Sequence, residues 1–179
     1  MELTGQRRSR QMRSPFLALL LAHGAERGVD VAAIMRKLGL RHDPNAWPSL
    51  AISLAQLDAI AAEVADALGD PDLGLSMAIA RPPGSYGVVE YAARTAASCE
   101  AALVRLARYQ RLVNDVVAFE VTTTAETLVF EHRVDGEREG TGPHGNVFAL
   151  ATVLELLRRL MGAPMTPIEV ALAHARPSA

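Results

Sequence analysis

The apolar residues of this chain change period between Val113 and Val117, and that single change narrows the possible folds. Before it, Leu54, Leu57, Ala61, Val64 and Leu68 recur at helical spacing and share one stripe. After it, Val117, Phe119 and Val121 alternate, as do Leu128, Phe130, His132 and Val134. A period of 3.6 puts side chains on one helix face, and a period of two puts them on one face of a strand. Helices first and paired short strands later read as α+β: a helical N-terminal part followed by a small antiparallel sheet packed with helices.

Start and stop signals divide the helical part. Ser14-Pro15 places a hydroxyl and a proline at the entry of a helix from Phe16 to Arg27, stopped by Gly28. Asp30 caps a second helix to Leu38, closed by Gly39. The stretch RHDPNAWPSL has two prolines and no helical period, so Trp47 is expected to plug a loop. Ser53 and Gln56 form a capping box, with Ile52 and Leu57 as its staple, and the helix that follows ends at Gly69. Asp70-Pro71 opens a short helix through Ala80, and RPPGSYG breaks the pattern. Beyond Ser98, a long amphipathic helix carries Cys99, Ala102, Leu103, Leu106 and Val113 on one side and Arg105, Arg108 and Arg111 on the other.

The alternating runs form a hairpin around TTAE, and a glycine-rich loop, GEREGTGPHGN, leads to a helix capped by Asn146. Its stripe of Leu150, Val153, Leu154, Leu157 and Met161 is widened by Phe148, Leu156 and Leu160. So broad an apolar surface needs cover on two sides, inside the domain or from a second subunit. Gly162 ends this helix, and Ile168, Val170, Leu172 and His174 alternate as a last strand before Arg176-Pro177, which gives a sheet of at least three strands.

A length of 179 residues suits one domain, placed at 14–179 behind a basic tail, 1–13, that holds Arg7, Arg8, Arg10 and Arg13. A formal net charge of -2 provides no field to hold a polyanion, which argues against DNA binding by this chain alone. The single cysteine, Cys99, has no internal disulfide partner, and no apolar stretch is long enough to span a membrane. These features lead to the expectation of a cytoplasmic protein.

Catalytic and cofactor signatures are sparse. No HExxH, clustered Cys/His spacing or EF-hand loop points to a metal, and Lys37 is far from any glycine run that could cradle phosphates. No cofactor is expected. Cys99 sits on an apolar stripe, the environment of an inert buried thiol. His132 and His174 fall on apolar strand faces, where a neutral imidazole either packs in a core or bonds a ligand. Tyr86, Tyr91 and Tyr109 suit a core or the wall of a mostly apolar pocket.

The stretch GSYGVVEYAARTAASCEAALVRLARYQRLVNDVV resembles the central signature of the arabinose-binding-type N-terminal domain of AraC-type bacterial transcription regulators. Its Gly-x-x-Gly turn, tyrosine, serine cap, acidic-alanine pair and Ala-Arg-Tyr triplet fall at Gly84, Gly87, Tyr91, Ser98, Glu100-Ala101 and Ala107-Arg108-Tyr109. RHDPNAWPSLAISLAQL, DPDLGLSMA and IEVALAHARP are similar to its flanks, so the resemblance covers about residues 14 to 177.

The resemblance implies a non-enzymatic sensor that binds a small effector, forms a homodimer and controls a C-terminal pair of helix-turn-helix units. No helix-turn-helix occurs within these 179 residues, so DNA is expected as a partner only through such an attached domain. Tyr91, Arg108, Tyr109, His132 and His174 are the candidate effector contacts, with Arg108 able to grip a carboxylate bidentately. An amino acid, another organic acid or a fatty acid all suit such a pocket. Two other readings compete: a ligand-free dimerisation module built on the Asn146 to Met161 helix, and, well behind, a small hydrolase or isomerase using His132 or His144.

Overall fold

The computed structural model describes residues 11–114, 116–162 and 164–174, and within them the chain is α+β. A two-residue strand β1 (Gln11–Met12) is followed by α1 (Pro15–Glu26) and α2 (Val31–Lys37). A 3-10 turn (Pro44–Ser49) leads to β2 (Ile52–Ser53), α3 (Leu54–Leu68) and α4 (Leu73–Ala80). Then come α5 (Val88–Arg94), α6 (Cys99–Tyr109), the hairpin β3 (Val117–Thr123) and β4 (Leu128–Val134), and α7 (Pro143–Met161).

Local signals work where they are strongest. The Ser53 hydroxyl accepts from Gln56 N–H, Gln56 Oε1 accepts from Ser53 N–H, and Gly69 closes α3 in the left-handed region at φ 61°. Asp30 caps α2 through Ala33 N–H at 2.8 Å, and the Ser98 hydroxyl caps α6 through Ala101 N–H. Ser14, by contrast, makes no capping bond and is buried. Trp47 is half-buried in the 3-10 turn, edge-on to His42 at 5.6 Å.

Two apolar clusters hold the fold. The first joins α1, α2, α3 and α4, including Leu17, Leu20, Met35, Leu57, Ile60 and Leu73. The second joins α5, α6 and the later half of α7 through Val89, Ala102, Leu103, Val153 and Leu156. The 19-residue α7 belongs to both, with Phe148 in the first and Val153 to Leu157 in the second. α3, α4, α6 and β4 cover much of its broad apolar surface within the chain, while Met161 at its end stays 50% exposed. Gly74 of α4 lies against the His144 carbonyl of α7, a contact that leaves no space for a Cβ.

Several expected boundaries move. α7 begins at Pro143, three residues before Asn146, because proline at the first helical position needs no N–H partner. Asn146 instead ties the glycine-rich loop to the helix: its Oδ1 accepts from Thr141 N–H and the Thr141 hydroxyl, and its Nδ2 donates to the Glu139 carbonyl. The helix expected from Asp70-Pro71 starts at Leu73, and the long arginine-bearing helix ends at Tyr109 and continues as a 3-10 turn to Leu112. The expected last strand is absent: residues 164–174 are irregular, and Ile168 is 93% exposed. Alternation alone does not make a strand, which needs a neighbour for its N–H and C=O groups. The sheets among the described residues are therefore two-stranded, β1 with β2 and β3 with β4, both antiparallel.

Candidate functional site

Two cavities lie on opposite sides of α7. The larger, a cleft of about 790 Å³, is bounded by the end of α3, the Asp70–Asp72 turn, the start of α4, the start of α7 and the stretch 170–174. That volume lies inside the range of small-molecule pockets, roughly 300–1,000 Å³. Asp66, Asp70 and Asp72 contribute three carboxylates to its lining, His144 and His174 two imidazoles, and Val147, Val170, Leu172 and Pro71 apolar surface; among the described residues no lysine or arginine lines it. Burial holds the His144 imidazole below its ordinary pKa, against the upward pull of Asp58 and Asp70. His174 Nδ1 is buried with no hydrogen-bond partner among the described residues.

The smaller cavity, about 30 Å³, sits between the RPPGSYG turn, α5, α6, β3 and α7. An ion pair closes one end: Arg81 Nη1 donates to Glu90 Oε2 at 2.6 Å, and both side chains are 3% exposed. Burial alone raises the Glu90 carboxyl, but the Gly84 N–H at 2.7 Å, the Arg81 guanidinium and the Tyr86 N–H outweigh it and hold the group below its usual range. The guanidinium also lies over the Tyr86 ring, 5.4 Å from its centroid, and burial drives the Tyr86 phenol well above its ordinary pKa. Gln110 and Thr152 add buried polar groups to a wall otherwise made by Val89, Leu106, Phe119, Ala149, Val153 and Leu156.

The five residues singled out from the sequence do not converge on one pocket. His174 lines the large cleft; Tyr91, Arg108, Tyr109 and His132 line neither cavity. Tyr91 is 58% exposed, with Arg94 over its ring, and its hydroxyl lies beside Gly84. Arg108 is exposed and covers the Tyr109 ring, which packs on the second cluster. His132 lies tilted against Phe119, their ring centroids 5.7 Å apart, and burial lowers its pKa to about 4. Of the arginines expected on the solvent side of α6, Arg105 is tied down, donating to the Ala92 carbonyl and the Thr95 hydroxyl at 2.9 Å each. Cys99 is half-buried against the second cluster.

Sequence reasoning missed Arg81, Glu90, Gln110 and Thr152, and also α5. One signal was available: Glu90 is a lone carboxylate inside the apolar run VVEYAA, and such a charge is buried only with a partner.

Among the described residues no helix is long and apolar enough to cross a membrane, and no group of three or more His, Cys, Asp or Glu side chains is arranged to hold a metal ion. A search of the curated proteins finds no match to this chain. A family model does match, described as the arabinose-binding domain of AraC transcription regulators, N-terminal, over residues 28–179. That span includes both cavities, all the α-helices after α1 and the whole hairpin. The chain belongs to the family of N-terminal arabinose-binding domains of AraC transcription regulators, a regulatory ligand-sensing domain.

Proposed function

We propose that this chain is the effector-sensing half of an AraC-type regulator: it binds a small molecule, pairs with a second copy of itself, and controls an attached DNA-binding domain without catalysing a reaction. The observation that carries this reading is the family match over residues 28–179. The 790 Å³ cleft supports it as the effector's place, because its walls come from both ends of helices that pack on one another. A ligand there touches the α3–α4 turn, the start of α7 and the 170–174 stretch together, and so stabilises one arrangement of them over others.

The lining also favours one chemistry. Among the described residues the lining offers three carboxylates and no lysine or arginine, which suits hydroxyl-rich or amine-bearing molecules better than a free carboxylic acid. His174 stays among the proposed contacts, joined by His144 and Asp66. Arg108 is proposed as a surface arginine and not as a carboxylate clamp, since it covers Tyr109 away from the cleft.

A thermal-shift screen tests this reading, using sugars, polyols, amines, amino acids, fatty acids and aromatic acids at millimolar concentration. A ligand selective for the folded state raises Tm saturably by mass action. A saturable rise with neutral polyols or amines is the expected result; no rise with any class overturns the sensor reading. Light scattering on the same chain, with and without that ligand, tests the dimer.

A further inference from the structure

The interior cavity beside Arg81 is separate from the proposed effector cleft, and two of its polar groups are unspent. Arg81 is 5% exposed and Thr152 8% exposed, yet Arg81 Nε and Thr152 Oγ1 find no hydrogen-bond partner among the described residues. Both residues line the same cavity of about 30 Å³. A buried donor without an acceptor costs free energy, and a guanidinium N–H more than most, so two in one cavity wall mark a place built to receive an acceptor.

The charge state of the walls decides what kind of acceptor. The Arg81 guanidinium is already neutralised by Glu90 at 2.6 Å, so a second carboxylate brought beside it adds an uncompensated buried negative charge. A cation meets the same guanidinium with the wrong sign. A neutral oxygen accepts from Arg81 Nε and takes or gives a hydrogen bond at the Thr152 hydroxyl without changing the net charge. Around these two groups the surface is apolar, from Val89, Leu106, Phe119, Val153 and Leu156. The cavity of about 30 Å³ has room for roughly two water-sized groups at about 10–15 Å³ each, so the polar end of a ligand enters it and the remainder does not.

We infer that this cavity is a second, interior binding site, taking the carbonyl or hydroxyl end of a small neutral, largely apolar molecule between Arg81 and Thr152. The site lies where α7 passes through the second apolar cluster, against Phe119, which packs on both clusters. Occupancy therefore ties the RPPGSYG turn to α7 and the hairpin.

The test is an NMR titration of the 179-residue chain with acetone and propan-2-ol, following the Arg81 Nε–H cross-peak, with acetate and propylamine as charged controls. The expected result is a saturable shift with the two neutral probes and none with the charged ones. Thr152→Val, which keeps the side-chain shape, is expected to weaken half-saturation about fivefold, the loss of one hydrogen bond. Ala149→Val, which fills the cavity while leaving both polar groups in place, is expected to abolish the shift. Non-saturating movement, an equal response to acetate, or an undiminished response in Ala149→Val overturns the proposal. So does a cross-peak that exchanges with water alone and ignores every probe. Because the readout is local to Arg81, its failure leaves the thermal-shift result at the larger cleft untouched.

Discussion

Arg81 and Glu90 meet at 2.6 Å across the RPPGSYG turn, and the same carboxylate gathers the Gly84 and Tyr86 N–H groups. One buried acid thus shapes a turn that has two prolines and two glycines and little apolar content of its own to fix it. The ion pair is best seen as a device that specifies the conformation of this turn, since paired burial of charge gives little net stability over apolar packing.

Removing one partner is a different matter from replacing both. Glu90→Gln strands the Arg81 guanidinium, 5% exposed, without a counter-charge and is expected to cost about 3–5 kcal/mol, a fall of roughly 10 °C in Tm. Arg81→Met with Glu90→Leu is expected to recover only part of that loss, because it removes the stranded charge but leaves the Gly84 and Tyr86 N–H groups without their acceptor. Urea unfolding of the single and double variants checks it; a single variant within 1 kcal/mol of the parent, by rough threshold, contradicts buried pairing.

The same carboxylate gives an acid limb to stability. Its folded pKa lies below the ordinary carboxylate value, so the folded state holds fewer protons than the unfolded one as pH falls. The contribution is full above about pH 4.3 and is lost as pH drops through the lower folded value. Glu90→Gln is expected to flatten that limb below pH 4.3, read as Tm against pH, while leaving the slope nearer neutrality unchanged.

Histidine 132 acts in a higher window. Burial beside Phe119 lowers its pKa to about 4, from an ordinary 6.5. Folded-state depression of a base means that the unfolded chain takes up the proton first. Stability is complete above pH 6.5 and falls between 6.5 and 4 as that proton binds the unfolded state. The slope reaches at most about 1.4 kcal/mol per pH unit. His23 and His144 are depressed by burial too and add to the same limb, so the comparison must be between the parent and His132→Phe. A smaller drop in Tm from pH 7 to pH 5 in His132→Phe is expected; identical slopes refute a desolvated imidazole at this position.

How far these features could be read from the residues depends on the range of the interaction. The Ser53 and Gln56 box, the Asp30 cap and the existence of the hairpin rest on neighbours within a few positions or on strict alternation in two adjacent runs, and all are visible in the chain. Ile168, Val170 and Leu172 alternate just as cleanly, yet lack a strand beside them among the described residues, and no local pattern reports that. The candidate site was harder. Arg81 falls in a breaker and Glu90 in an apolar run, and nothing local joins them, because their pairing depends on how the turn folds back. The cleft draws His144 and His174 together from opposite ends of α7 and the stretch after it, a relationship set by packing alone.

Gly74 shows how tightly that packing is drawn. It faces the His144 carbonyl and the Phe148 amide, and a Cβ at this point meets backbone atoms that cannot rotate away. Gly74→Ala is therefore expected to push α4 from α7 and cost about 1–3 kcal/mol, although alanine is the better helix former. Because α4 and α7 both border the cleft, the variant should also weaken any ligand found by thermal shift. A Gly74→Ala protein as stable as the parent contradicts the close approach.

The effector reading is most exposed to test at Asp66 and His174. Both line the cleft, and neither is placed in the apolar clusters, so Asp66→Asn and His174→Ala are expected to leave the unliganded Tm within about 2 °C, as changes away from the core usually do. If an amine or a polyol occupies the cleft, each variant removes an acceptor of its N–H or O–H groups. The ligand concentration at half-maximal Tm shift should then rise about tenfold for Asp66→Asn with an amine, where a charge-assisted bond is lost, and less with a neutral polyol. An unchanged midpoint in both variants moves the effector out of this cleft, and a preference for carboxylic acids that survives both contradicts its acidic lining.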